Sequence, residues 1–137
     1  MQNFIPVLAR ILLSAIFLKS GVEHLLNFGG TQQILVVKGI PMSLTGVLVA
    51  GAVVALLGGG LSVLLGYKAR WGAIVLILFL IPATLLFHTK FSDPMQVIQF
   101  LKNLGLSGGL LMLVQFGPGA VSLDAHTART FRGSTRF

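Results

Sequence analysis

The chain has 137 residues, of which 55% are hydrophobic and 9% charged, with a mean hydropathy of +0.93 and no cysteine. A soluble domain carries roughly a quarter charged residues, so most of this surface must face lipid, and disulfides, thiol relays and Cys-ligated clusters are excluded. The net charge of +7 sets ten Lys and Arg against Glu23, Asp93 and Asp124, and because the basic residues lie between apolar blocks or in the tail they mark topology, not a nucleic-acid surface.

A membrane-crossing helix needs about 20 mostly apolar residues. The first such run extends from about Phe4 to Leu26. It has no basic n-region and no A-x-A-like cleavage site, so it is expected as a retained span and not a signal peptide. NFGGTQQILVVKGIP follows. Gly29 and Gly30 suit a helix stop there, and Thr31 suits an N-cap. TQQILVVK is too short to span and is expected as an interfacial helix closed by Gly39 and Pro41.

The second span runs from about Ser43 to Gly66 and the third from about Trp71 to His88, with Pro82 tolerated inside it as a kink. The fourth runs from about Val97 to Gly117, and Pro118 and Gly119 end it. GYKAR and TKFSDPM are short enough to join antiparallel neighbours. Residues 121–137, VSLDAHTARTFRGSTRF, have little apolar periodicity and are expected as a surface extension or a disordered segment. The expected architecture is an all-α membrane protein. One four-transmembrane-helix bundle covers residues 1–120, with a short interfacial helix between the first two spans, and residues 121–137 form a basic cytoplasmic tail.

Four spans put both termini and GYKAR on one side, together with Lys68, Arg70, Arg129, Arg132 and Arg136. Lys38 and Lys90 lie opposite, and Lys102 lies just inside its span. Basic residues accumulate in short cytoplasmic loops, which makes both termini cytoplasmic. Small residues recur at four-residue spacing: Gly51, Ala55 and Gly59; Gly58, Ser62 and Gly66; Gly105 and Gly109. Such spacing lets backbones approach closely where no hydrophobic force drives association. It fits packing inside the bundle or docking of another protein.

The stretch FLKSGVEHLL holds three ionisable groups in a lipid-facing helix. At 100° per residue, Arg10, Ser14, Phe17, Gly21 and His24 share one stripe. Lys19 and Glu23 fall roughly opposite as an i,i+4 pair that neutralises itself. His24 ends the first span on the outer side, His88 ends the third there, and Lys102 and Asn103 lie about one turn inside the fourth. Intramembrane ionisable residues are functional candidates, so His24, His88, Lys102 and Asn103 form either a shared polar pocket or separate interfacial anchors. Two histidines and Glu23 lack metal-site spacing such as H-x-x-x-H, and no metal is expected. Arg10 lies about 9 Å inside the cytoplasmic end, where the sequence offers Gln115 but no carboxylate.

LARILLSAIFLKSG, LLGGGLSVLLGYKAR, ATLLFHTKF, FLKNLGLSGGLLML and GPGAVSLD, in that order from Leu8 to Asp124, resemble the DoxX-like family of small four-helix membrane proteins. The resemblance implies a four-helix bundle in a prokaryotic or organelle-type energy-transducing membrane, plasma or thylakoid. The family is named for a subunit of a thiosulfate:quinone oxidoreductase. Arg10, Gly21, His88, Lys102 and Asn103 match polar or small positions typical of the family, and His24 stands where many relatives have lysine. Relatives often carry a glutamate in the second span before the GG pair, where this chain has Ala55, Leu56 and Leu57. That departure leaves Arg10 unpaired within the chain, so a lipid headgroup or a partner subunit is expected to satisfy it.

No Walker loop, G-x-S-x-G or dinucleotide fingerprint is present. Three readings remain. The first is an accessory subunit of a respiratory or photosynthetic electron-transfer complex, with a structural or assembly role and no catalysis of its own. The second is a quinone-linked oxidoreductase subunit using His88, Lys102 and His24. The third is a small transporter or lipid-binding protein, for which four spans are few and no inverted repeat is visible. No cofactor of its own is expected; lipid or quinone is the ligand class the outer polar groups fit. The expected partners are the bilayer and other membrane subunits, and not nucleic acid.

Overall fold

The computed structural model describes residues 4–134, so Arg136 lies outside the described residues. Six helices follow in chain order: α1 (Phe4–Leu26), α2 (Phe28–Val37), α3 (Met42–Leu65), α4 (Ala69–Phe87), α5 (Pro94–Phe116) and α6 (Leu123–Ser134). Four of them, α1, α3, α4 and α5, are long and apolar enough to cross a membrane. Helices are the form such segments take because each satisfies its own backbone hydrogen bonds in hydrocarbon. Their ends follow local chemistry. The Asp93 carboxylate accepts from the N–H of Met95 at 3.0 Å, and Pro94 fills the first helical position of α5, where no N–H is needed. Gly66 ends α3 at φ 69°, a left-handed conformation that glycine adopts without strain.

The spanning helices form a four-helix bundle. α3 packs against both α1 and α4, α5 packs against α4, and α5 meets α1 only sparsely, so that seam is the loosest of the bundle. The buried residues of α1 are Arg10, Ser14, Phe17 and Gly21, four of the five on the stripe expected from helical periodicity; the fifth, His24, is half-buried. The main core joins Phe17, Leu56, Val63, Ala73, Leu76 and Leu110 across four helices. A second cluster of Leu35, Val49 and Val53, with Phe28, Ile40, Leu57 and Phe87 against it, seats α2 on the N-terminal half of α3.

Close approaches fall partly where the spacing placed them. A Cβ at Gly59 would stand 2.8 Å from Leu76 Cγ and 3.2 Å from the Gly72 carbonyl oxygen, so α3 and α4 meet backbone to backbone. Gly21 and Gly60 serve the α1–α3 seam, where added Cβ atoms would meet Leu57 and Leu18. Gly109 faces Leu13 of α1, with 3.2 Å to Leu13 Cδ2. Gly51 and Gly105, expected in the same seams, have nothing within 4 Å. Ala55 is half-buried. Spacing shows that a helix can be approached closely, but not from which side.

Two local expectations are corrected. Gly29 and Gly30 do not stop a helix; they lie inside α2, and the break falls at Asn27, with φ −119° and ψ 49°. Thr31 is accordingly not an N-cap, and its hydroxyl donates to the Asn27 carbonyl at 3.0 Å. Packing of Phe28 into the second cluster outweighs the roughly 1 kcal/mol each glycine costs in a helix. The segment after Asp124 is helical, as α6. Its start is held by the Ser122 hydroxyl, which accepts from the N–H of Ala125 at 3.1 Å.

Candidate functional site

At the end of the bundle that carries α2, several polar groups tie one helix to a neighbour. His24 Nδ1 lies 3.4 Å from Thr31 Oγ1, linking α1 to α2. Gln32 Nε2 donates to Thr45 Oγ1 at 3.3 Å, linking α2 to α3. His88 Nδ1 donates to Gln96 Oε1 at 2.9 Å across the α4–α5 connection. Asn103 Nδ2 donates to Thr84 Oγ1 at 2.9 Å between α4 and α5, and both side chains are buried. Lys102 is exposed and donates to Gln99 on its own helix. Lys19 and Glu23 form their expected pair at 2.6 Å on the lipid-facing side of α1, clear of the buried stripe. His24 and His88 therefore hydrogen-bond to different neighbours. No group of three or more metal-ligating side chains gathers among the described residues.

The Asn103–Thr84 bond is the buried member of this set. Asn103→Leu is expected to lower stability by about 1 kcal/mol, the typical net value of one such bond, seen as a lower melting midpoint in detergent.

The opposite end, which carries the α3–α4 turn and α6, is organised around Arg10, which is 4% exposed. Its Nη1 donates to the carbonyls of Leu64 at 3.1 Å and Val63 at 3.5 Å, and its Nη2 donates to the carbonyl of Val121. Val63 and Leu64 belong to the last turn of α3, whose carbonyls lack intrahelical donors and carry the negative end of the helix dipole. Asp124 does the complementary task. Its carboxylate accepts from the N–H groups of Lys68 at 2.6 Å and Ala69 at 3.0 Å, at the positive start of α4. The Asp124 N–H donates to the Gly66 carbonyl at 2.9 Å. One turn, Gly66–Lys68, is thus held by a cation from the first span and an anion from beyond the fourth.

Arg10 therefore does not depend on a lipid headgroup, a partner subunit or Gln115 for its Nη groups, as its lack of a carboxylate had implied; Gln115 is exposed. Its acceptors are backbone carbonyls, which no side-chain pattern displays. The left-handed glycine at the end of α3 was the available signal, because it marks where orphan carbonyls collect.

The family model described as DoxX matches residues 5–89. The chain belongs to the DoxX family. It is 35% identical over 118 residues to the inner membrane protein YqjF of Escherichia coli, covering 86% of this chain and 88% of that protein. It is 30% identical over 123 residues to the inner membrane protein YphA of the same organism, covering 86% of each. No solved structure matches the chain. The DoxX match and four apolar helices make this an integral, multi-pass membrane protein. Arg10 and His88 fall inside the DoxX match, whereas Asp124 and the fourth spanning helix lie beyond it.

Proposed function

We propose that this DoxX-family protein is an accessory subunit of a larger electron-transfer complex in an energy-transducing membrane, with both termini cytoplasmic and a structural role. The observation that supports it is the surface of α5. That helix buries only Asn103, Leu110 and Leu113, and Gly105 and Gly108 have nothing within 4 Å. A helix of another subunit can approach such a surface to backbone distance. The polar groups support the same reading, because they are spent on holding helices together. The electron-transfer assignment follows from the family's namesake, and the orientation from Lys68, Arg70, Arg129 and Arg132 on the side of α6.

The test is extraction in mild detergent through a C-terminal tag, followed by native mass and an absorbance spectrum. The expected result is migration within a large pigmented or haem-bearing assembly. Gly105→Leu with Gly108→Leu is expected to release the protein from that assembly while its own melting midpoint stays within a few degrees. Migration of the wild-type protein alone overturns the proposal and turns attention to quinone binding near His88 and Lys102.

A further inference from the structure

We propose that the groove between α1 and α5 holds one acyl chain of an anionic phospholipid, with the lipid phosphate at Arg10. The groove has a volume of about 200 Å³ and is lined by Pro6, Ala9 and Leu13 of α1 and by Met112 and Phe116 of α5, with Arg10 between Pro6 and Leu13 on the α1 wall. It exists because α1 and α5 meet only sparsely. Its walls are almost wholly hydrocarbon and Arg10 is the one charged residue among them, a pairing that suits a membrane amphiphile.

Two further observations choose the headgroup. Arg10 Nε is a buried side-chain donor with no hydrogen-bond acceptor in the described residues, and it is the one such atom there. The Nη groups are already engaged with carbonyls, so Nε is the atom left to receive a ligand oxygen, and a buried donor is costly to leave unmade. The second observation is charge. Three guanidinium groups converge on residues 117–121. Arg10 donates to the Val121 carbonyl, Arg129 donates to the Ala120 carbonyl at 3.3 Å, and Arg70 Nη2 stands 3.1 Å from the position a Cβ would take on Gly117. The nearby carboxylate, Asp124, has both oxygens occupied by the start of α4. An anion completes this set, and a phosphate diester matches guanidinium geometry. A neutral quinone head leaves the charge unbalanced. A choline lipid brings an ammonium toward three cations. The Arg10 guanidinium reaches the last turn of α3, the level at which lipid phosphates lie beside a spanning helix.

The experiment uses the full chain in mixed micelles with phosphatidylglycerol or phosphatidylcholine, read by native mass spectrometry and by melting midpoint. The wild-type protein is expected to retain one phosphatidylglycerol and to melt higher with it than with phosphatidylcholine. Ala9→Trp fills the groove from an exposed position. It is expected to lose the retained lipid and the difference in midpoint, with unchanged helical content. Arg10→Lys keeps a cation for the α3 carbonyls but has no Nε–H. It is expected to lower the preference for phosphatidylglycerol about tenfold, the equivalent of one charge-assisted hydrogen bond. Equal retention of the two lipids by wild type, or undiminished retention by Ala9→Trp, overturns the proposal. So does an equal rise in midpoint with inorganic phosphate alone, which would make the site one for free anions.

Discussion

Arg10→Leu is expected to destabilise the protein by about 3 kcal/mol and to loosen the α3–α4 turn. The side chains are close enough in volume that the core itself should not collapse. What is lost is the donor to Leu64, Val63 and Val121. Hydrogen bonds from a charged group contribute about 1.5–3 kcal/mol each, and buried acceptors without donors carry their own penalty. Against this, leucine removes the cost of burying a guanidinium, which can be several kcal/mol. The two terms have opposite sign, and the first should win because Leu64 and Val63 sit at a helix end where donors are scarce, the Val63 carbonyl having only a long 3.3 Å bond from the Gly66 N–H besides Arg10. The dipole adds to it, since a cation at the C-terminus of α3 is favourable by about 0.3–1 kcal/mol. Melting in detergent gives the total, and hydrogen exchange gives the location. Protection should fall first at Tyr67, whose N–H donates to the Ser62 carbonyl at 3.1 Å across the turn, and in α6, which loses the Val121 contact. A variant with wild-type stability and exchange would show that Arg10 is incidental to the turn.

The same residue shows how far the sequence carries. Arg10, Ser14, Phe17 and Gly21 are legible as one buried stripe, because a period of 3.6 residues fixes which side chains share a face, and one stripe of α1 is buried. The spans are legible too, since hydrocarbon thickness sets their length; their ends move by at most three residues. The Lys19–Glu23 pair follows from the i,i+4 rule. What Arg10 binds is not legible, because its acceptors are main-chain atoms of residues 53, 54 and 111 positions away. The common depth of His24 and His88 can be inferred from span boundaries, but their partners Thr31 and Gln96 depend on where two loops turn. For α6, the large apolar positions are sparse, Leu123 and Phe131 standing eight residues apart, while the features that hold it are a serine cap and an aspartate reaching a distant helix start.

Gly72→Ala should cost about 2–3 kcal/mol, whereas Gly51→Ala should be neutral or stabilising by up to about 1 kcal/mol. Both are glycines in spanning helices, and both changes raise helix propensity by the same roughly 1 kcal/mol. Their surroundings decide the sign. At Gly51 nothing lies within 4 Å of a new methyl group, so the propensity gain stands alone. At Gly72 the methyl carbon would stand 2.6 Å from Ser62 Cβ and 3.2 Å from the Gly59 carbonyl oxygen. The second neighbour is backbone, so a rotamer change cannot relieve it and α4 must move away from α3. Moving Ser62 is costly as well, because its hydroxyl donates to the carbonyls of Tyr67 at 2.6 Å and Lys68 at 3.1 Å. Overpacking a tight seam typically costs about 1–3 kcal/mol, and disturbing those bonds places Gly72 at the upper part of that range after the propensity gain is subtracted. Melting midpoints of the two variants in one detergent should therefore move in opposite directions. Movement in the same direction would mean that the α3–α4 seam is not held by the contact between Gly59 and Gly72.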